Sequence, residues 1–378
     1  MTTAPRRVER GAPSRPTVVD LHRVRLPLVT PLVSAHGTET ERDVALVRVE
    51  LDSGEVGWGE CSTLARPTYT SEYTAGAWVM LRDELAPALL AGRRSDVVGH
   101  PMAAAAVATA LADADLRRVD RSLAEQLGRT LKAAPRATVP TCAVVGIAPS
   151  VDDTLAAVDA AQRQGVAMVK LKLRPSPRDV TAARAVRAAW PALPLAVDLN
   201  GSAGLGHLDV LAALDDLGLA YLEQPLPAAD LVGSAVVSER LATPVALDES
   251  IASMADVATV ARLGAASIVN VKPARLGGPI EAARVLRAAA DHGLGAFCGG
   301  MLETGVGRAA ALAVAAQPGC AVPTDLGPSD RYFRPDLTDA VVVDGRGEVV
   351  VPRGPGIGVV PDQARLDDVT VEHVRRTR

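Results

Sequence analysis

The stretch Ala167-Met168-Val169-Lys170-Leu171-Lys172-Leu173, followed by the apolar run Leu195-Ala196-Val197 that ends in Asp198, decides how this chain folds. Each run is short, bounded and too apolar for a strand with one wet face, as strands buried on both sides are. Similar runs recur at Val139–Ile147, Ala220–Glu223, Val245–Asp248, Ser267–Lys272, Gly295–Cys298 and, more weakly, Cys320–Pro323. Between them lie Ala- and Arg-rich segments with helical spacing, among them Val151–Gln164, Arg178–Trp190 and Ile280–His292. Eight alternating strand and helix units predict a parallel (β/α) barrel, with an open doubly wound sheet as the alternative.

The polar residues that close successive strands keep step with this repeat. From Lys172 to Asp198 is 26 residues, then 25 to Glu223, 25 to Asp248, 24 to Lys272 and 26 to Cys298. In a barrel every strand opens its C-terminal end on the same mouth, so these side chains converge. Asp198, Glu223 and Asp248 would then be neighbours with a lysine on each flank. Three close carboxylates repel unless a cation sits among them, and all-oxygen ligation by two Asp and one Glu suits Mg²⁺ or Mn²⁺ rather than zinc. Alternatively each acid could cap the helix that follows it. Three acids in register, each after an apolar strand, favour the metal.

Lysine usage sharpens the point. Of 40 basic residues only four are lysines, leaving 36 arginines. Lys170, Lys172 and Lys272 all fall in apolar segments. Lys170 and Lys172 share one face of a strand, where burial and like charge lower a lysine pKa toward neutrality, and Lys272 approaches from the other side. Two such lysines across a metal-bound substrate suit removal of a proton α to a carboxylate, a reaction that needs a cation to hold the enediolate.

The residues before the barrel differ. Thr17–Leu26 and Val44–Leu51 alternate as antiparallel strands do, Asp52-Ser53-Gly54 is a turn signal leading to a strand through Trp58, and helical patterns follow at Ser71–Leu90 and Met102–Leu127. The reading is a disordered Arg- and Pro-rich tail (1–16), an α+β capping domain (17–135), a barrel (136–335) and a C-terminal segment (336–378) that returns to the capping domain. That segment has a hairpin signal at Asp344-Gly345-Arg346-Gly347.

Composition excludes several classes. With 378 residues, 48% hydrophobic and 22% charged, the chain can bury a large core, and general disorder is excluded. A net charge of −4 and nine aromatic residues argue against nucleic-acid binding. Four scattered cysteines (Cys61, Cys142, Cys298, Cys320) form no CxxC pair, and no apolar run is long enough for a bilayer, so a cytoplasmic protein with no membrane partner is expected. Ala-rich helical faces leave room for a homo-oligomer.

The motifs Lys170-Leu171-Lys172, Asp198-Leu199-Asn200, Glu223-Gln224-Pro225, Asp248-Glu249-Ser250 and Val271-Lys272-Pro273 resemble the enolase superfamily, in its muconate-cycloisomerase-like branch. Cys298-Gly299-Gly300-Met301-Leu302-Glu303-Thr304-Gly305 and Ser329-Asp330-Arg331-Tyr332 are similar to the o-succinylbenzoate synthases that also racemise N-succinylamino acids. The resemblance implies a modified TIM barrel of (β/α)7β type with an N-terminal capping domain, and a Lys base working with Mg²⁺, as is known for that superfamily. It assigns Asp198, Glu223 and Asp248 to the metal and Lys172 and Lys272 to acid/base work, with Lys170 tuning Lys172. Asn200, Arg275, Gly300, Met301 and Glu303 fall in or beside these motifs and are expected around the substrate. The implied activity is a Mg²⁺-dependent lyase forming o-succinylbenzoate for menaquinone biosynthesis. The alternative is an N-succinyl- or N-acylamino acid racemase or dipeptide epimerase, which Arg275 favours. A non-catalytic barrel is disfavoured by the full set of ligands and lysines. The chain departs from those relatives at Leu32–Gly37, which lacks their Phe and Arg, at Pro101–Val107 and at Val144, so a smaller or differently charged acyl group is expected.

Overall fold

The structure is a computed structural model that describes residues 14–93, 95 and 97–378. Most of the expected tail, residues 1–13, and part of the stretch after Leu90 lie outside the described residues.

Strands β1 (Pro16–Ser34), β2 (Gly37–Leu51) and β3 (Val56–Cys61) form an antiparallel meander. Gly54 adopts φ +95° at the tight β2–β3 turn, a conformation open to glycine at little cost. The Ser71–Leu90 pattern is helical from Thr74 onward, as α1 (Thr74–Met80), one π turn (Leu81–Leu85) and α2 (Ala86–Leu90). Pro87 accounts for the wide turn, because it has no N–H to donate and its ring crowds the preceding turn. The Met102–Leu127 pattern is two helices, α3 (Pro101–Arg118) and α4 (Leu123–Leu131). The break falls at Asp120, with φ +49°, and Ser122 and Glu125 restart the chain with a capping box.

The second sheet is parallel. After β4 (Thr138–Pro140) come β5 (Cys142–Val145), α5 (Val151–Arg163), β6 (Met168–Lys172), α6 (Pro177–Ala189), β7 (Leu195–Asp198), α7 (Leu208–Asp215) and β8 (Leu222–Glu223). Then follow α8 (Leu231–Arg240), β9 (Val245–Leu247), α9 (Met254–Leu263), β10 (Ile268–Asn270), α10 (Pro279–Asp291), β11 (Gly295–Phe297) and α11 (Gly305–Ala315). Strands β5 to β11 are hydrogen-bonded in sequential order, so the barrel holds and the open doubly wound alternative, which requires a reversal of strand order, does not. Residues 320–323 form no regular strand, yet together with Thr324 they span the gap between the sheet's two edges. Ala321 N donates to Ala296 O at 3.0 Å on the β11 side, and Cys142 N donates to Thr324 O at 2.6 Å on the β5 side.

The C-terminal stretch contributes β12 (Glu348–Val350), paired antiparallel to β4, α12 (Gln363–Val369) and β13 (Thr370–Thr377), which adds an edge to β1. Both faces of the antiparallel sheet are covered. Val19, Leu21, Ala45, Val47 and Val49 pack on α1 to α3, whereas Val24, Leu26, Val44 and Leu46 join the core continuous with the barrel. Helix α3 lies so close to β3 that a Cβ at Gly57 or Gly59 would overlap the carbonyl oxygens of Ala110 and Ala106. The far ends of β1 and β2 extend past this core as an arm over the barrel mouth, where Ile147 N donates to Val33 O and Val29 N to Tyr332 O, each at 2.9 Å. Among the described residues no helix is long and apolar enough to cross a membrane.

Candidate active site

Because side chains alternate along a strand, Lys170 and Lys172 share a face of β6, and the register sets Lys172 beside Asp198 and Asp198 beside Glu223. Asp248 follows β9 directly and Lys272 follows β10 by two residues. Local geometry holds the acids in place. Asn200, at φ +45°, returns its N–H to Asp198 Oδ1 at 2.8 Å. Buried Gln224 accepts from Asp248 N at 2.9 Å and donates to Leu226 O at 2.8 Å, locking the turns after β8 and β9 together. None of the three acids caps a barrel helix. That work falls to Ser150, Ser176, Asp230, Ser253 and Thr304, so the capping alternative fails.

The lysines engage the acids directly. Lys170 Nζ lies 2.6 Å from Glu223 Oε2 and 2.8 Å from Asp325 Oδ2. Lys172 Nζ lies 2.7 Å from Asp198 Oδ2 and 2.8 Å from Asn200 Oδ1. Lys272 Nζ lies 2.9 Å from Asp248 Oδ2, and Arg275 Nη1 lies 2.7 Å from Asp248 Oδ1. Among the described residues no three His, Cys, Asp or Glu side chains stand together in a group that could hold a metal ion; each acid turns to a protein cation.

This pairing reverses the expected drop in lysine pKa. Burial alone would lower Lys170, but Asp325 and Glu223 push it well above the ordinary lysine value. Burial works the same way at Lys272, where Asp248 outweighs it and raises the group. The acids split. Burial lifts Glu223 to about 7, with repulsion from Asp198, Asp248 and Asp325 opposing the relief that Lys170 gives. At Asp248 the rise that burial would cause is overcome by Lys272 and Arg275, which hold it well below the usual carboxylate range.

The remaining expected residues gather around this core. Asn200 Nδ2 donates to Glu249 Oε1 at 3.1 Å, Gly300 N to Asp325 Oδ1 at 2.6 Å and Met301 N to Glu303 Oε1 at 2.7 Å. Met301 Sδ is 3.8 Å from Lys272 Nζ. Cys298 is a buried wall residue whose thiol burial pushes well up, and His292 ends α10. Three participants were not foreseen. Asp325 stands 27 residues after Cys298 and so continues the strand-end spacing, a signal the weak eighth strand obscured. Asn270 Nδ2 donates to Glu223 Oε1 at 2.8 Å. Tyr69, from the loop before α1, donates to Asp248 Oδ2 at 3.0 Å and accepts from Lys272 Nζ at 3.1 Å, a contact no local pattern announces.

Lys170, Lys172, Asp198, Glu223, Lys272 and Asp325 open on a cavity of about 1050 Å³, with Asp248 behind Tyr69 and Lys272. Leu32, Val33 and His36 of the β1–β2 arm line it together with Val144 and Ile147, the last bonded to Val33 O. His36 Nε2 reaches Glu249 Oε1 at 3.4 Å. The result is an open-mouthed pocket whose base carries paired acids and lysines and whose walls are mostly apolar.

Comparison with known proteins agrees with this architecture. Residues 17–128 match the family model described as mandelate racemase / muconate lactonizing enzyme, N-terminal domain, and residues 153–365 match enolase C-terminal domain-like. An N-succinylamino acid racemase from Amycolatopsis sp is 42% identical over 367 residues, covering 94% of this chain and 98% of the relative. An o-succinylbenzoate synthase from Bacillus subtilis (strain 168) is 35% identical over 356 residues, covering 91% of this chain and 94% of the relative. A solved structure from Alicyclobacillus acidocaldarius, described as a probable mandelate racemase, superposes with a TM-score of 0.86 at 38% identity, covering 96% of this chain and 99% of that one. With both parts of its fold matched by the family models, the chain is an enzyme that belongs to the enolase superfamily.

Proposed function

We propose that this enzyme moves the proton α to the carboxylate of a small-molecule substrate between carbon and Lys172 or Lys272, with Mg²⁺ or Mn²⁺ held by Asp198, Glu223 and Asp248. The observation that carries the reading is the strand order. Strands β7, β8 and β9, which lead to the three acids, lie between β6, which carries Lys172, and β10, which leads to Lys272. A substrate carboxylate drawn to a cation held by these acids would present one face of its α-carbon to each lysine.

The donor set, carboxylate oxygen only, suits a hard divalent cation once the three acids turn from their lysine partners, and such an ion would offset the burial that lifts Glu223 and the repulsion from Asp198 and Asp248 that adds to it. When bound, the ion would supply positive charge to the substrate carboxylate as its α-proton leaves. A lysine takes up that proton only as the free amine, so its ion pair must open and its ammonium must first give a proton to solvent, while the lysine on the opposite face stays an ammonium able to return a proton to carbon. Lys170, further down β6, keeps Glu223 and Asp325 in position. The loop at 299–303 shields the Lys272 side, and the β1–β2 arm keeps water off the reacting carbon.

Racemisation of N-succinylamino acids is the outcome this two-sided arrangement favours, and the Amycolatopsis relative supports it. Dehydration to o-succinylbenzoate, a step of menaquinone biosynthesis, is the second reading. It needs a base on one face only, and the B. subtilis relative supports it. The test incubates the purified enzyme and Mg²⁺ with each enantiomer of N-succinylphenylalanine, followed by polarimetry, and with the cyclohexadiene carboxylate precursor, followed by absorbance. Interconversion of enantiomers supports the first reading and o-succinylbenzoate formation the second; neither product would overturn both.

A further inference from the structure

The cavity's basic side chains are spoken for, with one exception. Lys170 pairs with Glu223 and Asp325, Lys172 with Asp198, Lys272 with Asp248, His36 with Glu249, Arg308 with Asp336 and Arg334 with Asp330, at 2.6 to 3.6 Å. Arg331, which also lines the cavity, has no carboxylate partner among the described residues. Its Nη2 donates to the neutral carbonyl of Val144, at the rim of β5, at 2.6 Å. The side chain is half-buried and built into the wall. A Cβ on Gly327 would come within 3.0 Å of Arg331 Cδ, so the bare glycine lets the arm lie flat, and the guanidinium carbon sits 5.7 Å from the centre of the Tyr332 ring.

A guanidinium has five donors in a planar fork and keeps its charge at every working pH. One donor on a carbonyl steers the group and leaves the others for a ligand. Apolar residues, Leu32, Val33, Val144 and Leu326, share the cavity wall with it. The pocket thus offers polar ends of different kind, the acid and lysine cluster at the strand ends and an unneutralised cation at the rim of β5.

We propose that Arg331 receives a second carboxylate, at the far end of the substrate's acyl group, and so selects dicarboxylic substrates such as N-succinyl over N-acetyl amino acids. This rests on the α-proton reading above and names the part of the substrate that reading leaves open. Val144 steers Arg331 through its backbone carbonyl, which any residue there would supply, and a carboxylate-selecting Arg331 runs against the different acyl group expected from the departures at Leu32–Gly37, Pro101–Val107 and Val144. The apolar walls pass the acyl chain, and its terminal charge is met by the fork, which suits a carboxylate in two-point contact.

The test compares the wild type with Arg331→Gln and Arg331→Lys on N-succinylphenylalanine and N-acetylphenylalanine, by turnover and by calorimetric binding. For Arg331→Gln, loss of a charge-assisted contact should raise the KM of the succinyl compound about tenfold, so that the succinyl-to-acetyl ratio of kcat/KM falls by a similar factor. Arg331→Lys, which keeps the charge and loses the fork, should recover part of that ratio. Equal losses on both substrates, or no change on either, would overturn the assignment. If no variant turns over either compound, the α-proton reading fails while the binding arm still decides this one. Tighter binding of the succinyl compound, abolished in Arg331→Gln, supports it, and equal binding of the two compounds by the wild type overturns it.

Discussion

Glu60, on strand β3, braces the start of barrel helix α11 and its N-cap Thr304. Its Oε2 accepts from Thr304 Oγ1 at 2.6 Å and from Gly307 N at 3.0 Å, while Oε1 accepts from Ser62 Oγ at 3.0 Å. Thr304 N also points to the carboxylate, at 3.1 Å from Oε2. One acid thus fastens the antiparallel sheet to the first turn of α11, where a carboxylate is favoured by the helix dipole.

That junction makes stability depend on pH. Burial pushes Glu60 up to about 7 from an ordinary 4.5, against the hydrogen bonds from Thr304, Gly307 and Ser62, and nearby Glu303 adds to the rise. Buried Arg42 faces the same two acids, and its own charge is disfavoured by burial. Below pH 4.5 Glu60 is protonated folded and unfolded, and costs nothing. Between 4.5 and 7 the folded protein holds the extra proton, so stability falls as pH rises, by up to ~3 kcal/mol, and stays at the lower level above 7. The stability advantage of wild type over Glu60→Gln should therefore shrink between pH 5 and pH 8 in urea titrations. A constant difference across that range would contradict the assignment.

Tyr69 joins the loop before α1 to the strand-end cluster through Asp248 and Lys272. Removal of its hydroxyl in Tyr69→Phe leaves the packing but frees Asp248 and Lys272 from a shared partner. Turnover should fall about tenfold with little change in melting temperature, as for loss of one positioning hydrogen bond in an active site. An unchanged kcat would show that Lys272 needs no help from this loop.

Chelation should abolish turnover, and added Mg²⁺ or Mn²⁺ should restore it. Glu223→Gln should lose activity about a hundredfold or more and weaken Mn²⁺ binding measured by electron paramagnetic resonance, while the fold survives because Lys170 retains Asp325. Full activity after exhaustive chelation would remove the metal from the account.

Much of this was legible because parallel barrel strands are buried on both faces and βα units repeat at nearly constant length. The run from Lys172 through Asp198, Glu223 and Asp248 to Lys272 could be laid on adjacent strands by subtraction alone. What escaped depends on contacts between distant segments. Residues 320–323 close the barrel through isolated bonds rather than a ladder, so periodicity is weak there and Asp325 went unseen. Tyr69 reaches the site from the capping loop, which local spacing cannot foretell. The direction of the lysine shifts was misjudged for a related reason. The sequence put Lys170 beside Lys172, whereas the fold brings each lysine against a carboxylate from another segment. The break between α3 and α4, by contrast, is written in Ser122 and Glu125, whose capping box interrupts a long apolar pattern.

The division of labour between Lys172 and Lys272 is the centre of the account, and α-proton exchange in deuterated water reads it most directly. Arginine at either position keeps the positive charge but cannot accept a proton. The experiment follows the α-proton of each N-succinylphenylalanine enantiomer by proton NMR with Lys172→Arg and Lys272→Arg enzymes. Each variant should exchange only the enantiomer whose α-hydrogen faces its remaining lysine, and the two variants should show opposite preferences. Exchange of both enantiomers at wild-type rates by both variants would mean that neither lysine is the base, and would contradict the account.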